Sequence, residues 1–168
     1  MIVHKNPYFT INLNDDYYSL SFPTEQVVVL PIVEDSQILF IKAKRPGFNE
    51  PVVELPAGSV DKGETFEIAA LREFGEETGI KIVNKDRLIK MPSINNMPSR
   101  TNNMLKIFFI NINMDEYRNR GKHDSEVSDI ILMSFEEIIN SINQGLFFTA
   151  PFIAICLTYI FNTKRNSI

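Results

Sequence analysis

The apolar and polar residues alternate along the chain in blocks that predict a β-rich first half and a helical end. Two β-forming runs, residues 8–11 and 17–22, flank Asn14-Asp15-Asp16 and predict a β-hairpin. Residues 26–33 (QVVVLPIV) are almost all apolar, which predicts a strand covered on both faces. A polar turn and a second apolar run, residues 37–43, predict the next strand.

The remaining pattern predicts strands with helices between and after them, which favours a layered arrangement. The predicted elements are a strand at 52–55, a helix between Gly63 and Gly79, strands at 106–114 and 126–133, and helices at 135–144 and 151–162. The longest apolar run, 146–161, is shorter than the roughly 20 residues that cross a bilayer, and Pro151 interrupts it. We therefore expect a packed C-terminal helix and no membrane partner.

Composition narrows the class of protein. The 168 residues are enough for one domain with a short extension, and 44% hydrophobic and 23% charged residues are typical of a globular chain. A net charge of −4 argues against a nucleic-acid partner, because coating phosphates requires a basic face. The N-terminus lacks the apolar core of a signal peptide, and the single Cys156 allows no internal disulfide, so we expect a cytoplasmic protein.

The helix that ends before Gly79 carries an unusual concentration of negative charge. On a helical wheel Glu73, Glu76 and Glu77 share an arc of about 100° with Ala69. Carboxylates at this spacing repel one another, and a hard divalent cation such as Mg²⁺ would relieve that repulsion. Taken alone, the same residues are also consistent with a solvated acidic face that contains an Arg–Glu pair.

The spacing of the whole segment distinguishes these interpretations. It fits G-x5-E-x7-R-E-U-x-E-E-x-G-U, where U is bulky and apolar, through Gly58, Glu64, Arg72, Glu73, Phe74, Glu76, Glu77, Gly79 and Ile80. This pattern is the Nudix box, and the chain resembles the Nudix hydrolase family. The resemblance implies the α+β class, with an α/β/α sandwich, a mixed central sheet and a short N-terminal β-hairpin extension. It also implies bound Mg²⁺ or Mn²⁺ and hydrolysis of a nucleoside diphosphate linked to another moiety.

The resemblance implies roles for the residues of the box. Glu73 and Glu77 correspond to the principal metal ligands, and Glu76 to a further ligand that helps to orient water. Arg72 corresponds to the residue that positions the glutamates, and Glu64 to a structural or supporting acid. Glu76, Glu77 and Arg72 are thus expected in the catalytic site.

The sequence before the box is similar to the ADP-ribose pyrophosphatase (ADP-sugar) branch of the family. Residues 54–58 read ELPAG, and in that branch the main-chain carbonyl at the position of Ala57 is a further metal ligand. Arg45, in the segment Lys44-Arg45-Pro46, resembles a residue that contacts the substrate diphosphate or terminal ribose. A surface charge in a loop is the alternative for Arg45.

Three further residues are candidates on the same resemblance. Glu126 corresponds to a loop acid that acts as catalytic base, with Asp124 in reserve; a solvated acidic loop is the alternative. Arg100 stands near the place of a Ser-Pro-Gly substrate loop, which is not present as such, and this departure weakens ADP-ribose as the specific substrate. Phe9 is a candidate for stacking on the nucleobase, although strand aromatics are more often core residues.

The sequence therefore predicts two regions, a β extension at 1–24 and a hydrolase domain at 25–168, and the resemblance implies that the extension forms a homodimer. The expected reaction is Mg²⁺-dependent hydrolysis of ADP-ribose or a related nucleotide sugar to AMP and a sugar phosphate. Alternative substrates are GDP-sugars, dinucleoside polyphosphates, NADH, nucleoside triphosphates and capped RNA ends. A nucleotide-sensing module without catalysis is the alternative from another class.

Overall fold

The computed structural model describes residues 1–165 of the chain, and the side chains of residues 1–163. Those residues contain ten strands, four α-helices and a short 3-10 helix at Lys85–Arg87. The strands are β1 (Ile2–Lys5), β2 (Thr10–Asn14), β3 (Tyr17–Ser21), β4 (Gln26–Val33), β5 (Gln37–Ala43), β6 (Val52–Glu54), β7 (Ala57–Ser59), β8 (Ile89–Ile94), β9 (Leu105–Ile112) and β10 (Val127–Ser134). The helices are α1 (Phe66–Thr78), α2 (Met114–Arg118), α3 (Phe135–Asn143) and α4 (Ala150–Arg165).

Seven strands form the central sheet. Five follow the order β10-β5-β4-β9-β8, while β6 pairs with β5 and β7 pairs with β4. The β4–β9 pair is parallel over its whole length, from Gln26 opposite Leu105 to Val33 opposite Ile112, and the other pairs are antiparallel. The predicted mixed sheet is therefore confirmed.

The side chains of β4 supply both faces of the sheet, as its continuous apolar run predicts. One face packs against α1, in a core that contains Val27, Val29, Ala69, Ala70 and Phe74. The opposite face packs against α3 and α4, in a core that contains Val28, Leu30, Ile138, Ile155 and Cys156. Helices therefore cover both faces of the sheet, which confirms the predicted α/β/α sandwich of the α+β class.

The first 24 residues form a separate antiparallel sheet of three strands in the order β1-β2-β3. The predicted hairpin corresponds to β2 and β3, whereas β1 was missed. Its residues are all exposed, so no buried face marks it, and backbone bonds between Met1 and Leu13, in both directions, hold it in place. The sheet contacts the rest of the chain where the Leu20 N–H donates to the Arg100 carbonyl at 2.7 Å.

Two further predictions differ from the structure. Strand β8 was missed because none of its residues is fully buried and because it contains Pro92, which is compatible only with positions such as a sheet edge. The strand expected at 106–114 ends at Ile112. Asn113 and Glu116 form a capping box that starts α2 there instead.

The apolar C-terminal run is a packed helix, as predicted. In α4, Phe152, Ile155, Cys156 and Ile160 are buried against the second face of the sheet. No helix within residues 1–165 is long and apolar enough to cross a membrane. Residues 166–168 of the predicted domain lie outside the described residues.

Candidate active site

Helix α1 presents its carboxylates from a well-defined frame. The Thr65 hydroxyl accepts from the Ile68 N–H at the start, and Gly79 ends the helix in the left-handed region with φ 72°. Ala69, Ala70, Phe74 and Thr78 are buried on the core side. Glu73, Glu76 and Glu77 project from the adjoining side, as the wheel predicts, whereas Ala69, which the wheel places on the same arc, is buried in the core.

Arg72 is the centre of a network that links three glutamates. Its guanidinium donates to both carboxylate oxygens of Glu64 at 2.9 Å, and lies 2.9 Å from Glu73 and 3.2 Å from Glu76. It also donates to the Ser59 carbonyl at 2.8 Å. The hydrogen bonds from Arg72 are the main cause that lowers the pKa of Glu64 to about 2. Arg72 thus holds carboxylates from the loop and the helix in one arrangement.

Glu73 lies directly against strand β7. A Cβ atom at Gly58 would overlap the Glu73 carboxyl group, so only glycine allows this approach of backbone to carboxylate. Burial raises the pKa of Glu73, and the Arg72 cation opposes that shift without cancelling it. The position of Glu73 therefore depends on the glycine of the ELPAG segment.

Glu77 is the most deeply placed of the three helix carboxylates. Its Oε2 accepts the Ala57 N–H at 2.8 Å. Burial is the main cause that raises its pKa to about 8, and the neighbouring Glu73 charge adds to the shift. Ala57 was predicted to act through its carbonyl oxygen; the contact described here uses the N–H of the same residue.

The chemistry of these donors fits a hard divalent cation. Glu73 and Glu77 are carboxylates whose raised pKa values show that their negative charge is poorly compensated by the protein. Within residues 1–165 no three His, Cys, Asp or Glu side chains already stand in a coordinating group. Glu73 and Glu76 instead face Arg72, and Glu77 faces the Ala57 N–H. Metal binding at this place would therefore require the carboxylates to turn from these donors.

The loop that carries the two candidate bases is tied to α1 through its backbone. The Gly121 N–H donates to the Gly79 carbonyl at 2.8 Å, and the Asp124 N–H donates to the Glu76 carbonyl at 2.9 Å. Asp124 lines a cavity of about 700 Å³ together with Glu76. The Glu126 side chain is 80% exposed and lies 3.8 Å from Arg45. Asp124 therefore shares a cavity with Glu76, whereas Glu126 lies beside Arg45.

Arg45 is held by Glu54, a partner that the sequence reasoning missed. Its Nε and Nη2 donate to the two Glu54 carboxylate oxygens at 3.1 and 2.7 Å. The pKa of Arg45 is raised mainly by this hydrogen bonding, with smaller contributions from the charges of Glu77 and Glu126. The pairing of β5 with β6, which sets Ala43 opposite Val52, brings the two side chains together. The register of the two strands, rather than the spacing of the two residues, sets this contact.

Arg100 and Phe9 lie with the N-terminal sheet. The Arg100 guanidinium lies 4.8 Å from the centroid of the Tyr17 ring and donates to the Tyr18 carbonyl at 3.2 Å. The Phe9 ring lies 6.0 Å from the His4 ring. In the contacts described for residues 1–165, neither side chain reaches the α1 carboxylates. The structure therefore groups the predicted site residues into a cluster on α1 and β7, the pair Arg45 and Glu126, and a separate pair near the extension.

Comparison with known proteins agrees with this architecture. The family model "NUDIX domain" matches residues 23–154. The chain is 26% identical over 118 residues to the methanol dehydrogenase activator of Bacillus methanolicus, covering 70% of this chain and 62% of that protein. It is 33% identical over 82 residues to the ADP-ribose pyrophosphatase of Bacillus subtilis, covering 49% and 43% respectively. The chain thus spans less than two thirds of the length of these relatives.

A solved structure shares the fold. The crystal structure of an ADP compounds hydrolase superposes with a TM-score of 0.72 at 17% identity, covering 99% of this chain and 92% of that one. At this identity the likeness concerns the fold alone. The family model, which matches most of the chain including ELPAG and all of α1, carries the assignment. The chain belongs to the Nudix family.

Proposed function

We propose that the chain hydrolyses the diphosphate bond of a nucleoside diphosphate linked to another moiety, with ADP-ribose or a related ADP-sugar as substrate. The observation that carries the proposal is the packing of Glu73 and Glu77 against the ELPAG segment, through Gly58 and the Ala57 N–H. The relatives named ADP-ribose pyrophosphatase, from Bacillus subtilis and Saccharomyces cerevisiae, support the choice of substrate. The products would be AMP and a sugar phosphate.

The same residues are the proposed ligands of Mg²⁺ or Mn²⁺, namely Glu73, Glu76, Glu77 and the carbonyl of Ala57. A bound divalent cation supplies positive charge against the diphosphate and favours ionisation of the attacking water. Arg72, which contacts both Glu73 and Glu76, holds their carboxylates close to the proposed metal site. Its role in the proposal is to position ligands.

In the proposed reaction, water adds to one phosphorus atom, the bridging P–O bond breaks, and a loop acid accepts the proton from water. Glu126 is the proposed base and Asp124 the reserve. Arg45 lies between Glu54 and Glu126, with Glu77 close enough to affect its pKa, which supports a role near the diphosphate. Phe9 and Arg100 are proposed contacts of the remainder of the substrate.

The N-terminal sheet is proposed to form a homodimer. It exposes several large apolar side chains, an unusual concentration for a small surface. These are Met1, Ile2, Val3, Tyr8, Tyr17, Tyr18 and Phe22. Light scattering on the full chain should give twice the monomer mass, and a clean monomer would contradict this part of the proposal.

The activity is tested on a panel of nucleotide diphosphates, with and without Mg²⁺. A phosphatase-coupled assay measures the phosphate released from the products. ADP-ribose should be cleaved only with the metal. Glu77→Gln should lower turnover by orders of magnitude while the fold persists, because glutamine can still accept from the Ala57 N–H. Lys90→Gln, an exposed change on β8, is the matched control.

Near-normal turnover of Glu77→Gln in Mg²⁺ would refute the ligand assignment. Binding of ADP-ribose by the unaltered protein without any cleavage would refute hydrolysis and favour a nucleotide sensor.

A further inference from the structure

A basic groove lies at the C-terminal end of α1, beside the carboxylates. We define it by Lys81, Arg118, Arg120, Lys122 and His123. Two neighbouring cavities make it up, one of about 700 Å³ and one of about 540 Å³, and Lys122 and His123 line both. Arg72 and Glu76 also line the larger cavity, so the groove adjoins the candidate active site.

Most cations of the groove have no carboxylate partner. Among the described side chains, no ion pair is formed by Lys81, Arg118 or Lys122, and all three are exposed. Arg120 is held over the Tyr117 ring at 4.3 Å and donates to the Tyr117 carbonyl. The groove therefore has a local excess of positive charge, although the whole chain has a net charge of −4. Such an excess attracts an anion.

The acids nearest to the groove do not neutralise it. Glu76 already lies 3.2 Å from Arg72. Asp124 is exposed and is held through its backbone, whose N–H donates to the Glu76 carbonyl. Among the described side chains, neither acid forms an ion pair with Lys81 or Lys122, although all four line the same cavity.

The groove is formed before any ligand arrives, because its two walls are joined. The hydrogen bond from Gly121 to Gly79 fastens the loop that carries Arg120, Lys122 and His123 to the end of α1. Lys81 lies two residues after Gly79 on the other wall. A preorganised site loses less free energy on binding than one that must be ordered.

The larger cavity also has an apolar side. Leu71 and Ile82 are half-buried along it, and Val83 is 94% exposed at its rim. A cavity of about 700 Å³ is the size of sites that hold a nucleotide-sized group. Cations together with an apolar wall suit a phosphate that is attached to a sugar or a base.

We propose that the basic groove binds a phosphate monoester or polyphosphate group, through Lys81 and Lys122 above all. The group is either carried by the substrate, beyond the diphosphate that is cleaved, or present on a separate ligand. The first of these sources rests on the proposed function, whereas the binding of phosphate does not.

The binding test uses tripolyphosphate and the metal-free full chain, with isothermal titration calorimetry at low ionic strength. Lys81→Glu/Lys122→Glu should weaken binding by about tenfold or more, because charge-assisted contacts to phosphate are lost. Lys81→Gln/Lys122→Gln should have a smaller effect in the same direction. The control Lys5→Glu/Lys90→Glu makes the same change of net charge away from the groove and should alter binding by less than about twofold.

The source of the phosphate is resolved by turnover of ADP-ribose and of its 2′-phosphorylated form. A loss of kcat/KM in the Lys81/Lys122 variants that is confined to the phosphorylated substrate identifies a substrate group. An effect of tripolyphosphate on turnover of plain ADP-ribose that these variants abolish identifies a separate ligand.

Two results would overturn the proposal: no binding of tripolyphosphate by the unaltered chain, or equal losses in the groove and control variants. If the unaltered chain binds tripolyphosphate through the groove but cleaves no nucleotide, the proposed function fails and the phosphate site stands.

Discussion

Gly79 and Gly121 hold the end of helix α1 and the loop of candidate bases in direct backbone contact. The Gly121 N–H donates to the Gly79 carbonyl at 2.8 Å, and a Cβ atom placed on Gly79 would lie only 2.7 Å from the Gly121 carbonyl carbon. Gly79 also has φ 72°, a conformation that costs other residues free energy. Gly79 therefore both ends helix α1 and leaves room for the backbone of the loop at Gly121.

Gly79→Ala should destabilise the protein by roughly 3 kcal/mol, since backbone strain and a clash with backbone atoms act together. Gly145→Ala is the matched control, because Gly145 has φ 70° and open space around its Cβ position. It should cost about 1–2 kcal/mol, the strain alone. Chemical denaturation of both variants measures the difference, and equal losses would show that the contact with Gly121 contributes nothing.

Gly58→Ala should weaken divalent-metal binding and turnover while the fold is retained. The added methyl group would displace the Glu73 carboxyl group, which is the end of a side chain and can move at little cost. Titration with Mn²⁺, and turnover of ADP-ribose, measure the effect. Gly47→Ala, where the Cβ position meets no atom within 4 Å, should leave both unchanged. Normal metal affinity in Gly58→Ala would argue against Glu73 as a ligand.

The fold and the α1 cluster were predictable because they depend on local spacing. The wheel placed Glu73, Glu76 and Glu77 on one side of a helix, and continuous apolar runs identified β4 and β5 as buried strands. The three-layer arrangement then followed from the resemblance. In each case the information lies within about 20 consecutive residues.

The features that the sequence reasoning missed depend on strand register, loop docking or exposed strands, which have no signature in the apolar pattern. Glu54 meets Arg45 only through the register of β5 and β6, and Gly121 meets Gly79 across 42 positions of sequence. Strand β1 has no apolar periodicity that would reveal it, because all its residues are exposed. Neither pairing register nor loop docking is encoded in short-range spacing.

Arg72→Lys should be strongly destabilising although the charge is retained. The planar guanidinium contacts several partners at once, and one ammonium group cannot reproduce all of these contacts. The partners include Glu64, Glu73, Glu76 and the Ser59 carbonyl. We expect the free energy of unfolding to fall by about 2–3 kcal/mol, because partly buried carboxylate and carbonyl oxygens lose hydrogen-bond donors. Thermal and urea denaturation measure it, with Arg118→Lys as an exposed control expected to change stability by less than about 0.5 kcal/mol. Unaltered stability of Arg72→Lys would mean that Glu64 and Glu73 do not depend on the fork of donors.

The metal-free protein should become less stable as the pH rises from about 4.5 to about 8, because of Glu77. Burial raises the pKa of Glu77 from its ordinary value of 4.5 to about 8, so the folded protein retains a proton that the unfolded chain has released in this range. A state that binds more protons is disfavoured as protons become scarce. Stability from this carboxyl is therefore fully present below pH 4.5 and is lost as the pH passes through 8.

Glu77→Gln isolates this contribution, since glutamine does not titrate and can still accept from the Ala57 N–H. The stability of Glu77→Gln relative to the unaltered chain should increase by a few kcal/mol at most between pH 5 and pH 8. If Glu77 is a metal ligand, Mg²⁺ should stabilise the unaltered chain more at pH 8 than at pH 5, and should release protons when it binds at pH 7. Urea denaturation across this range and calorimetry in two buffers of different ionisation enthalpy measure both effects. Parallel pH profiles of the two proteins would show that the Glu77 carboxyl has an ordinary pKa in the folded chain, and that the protein already compensates its negative charge without a cation.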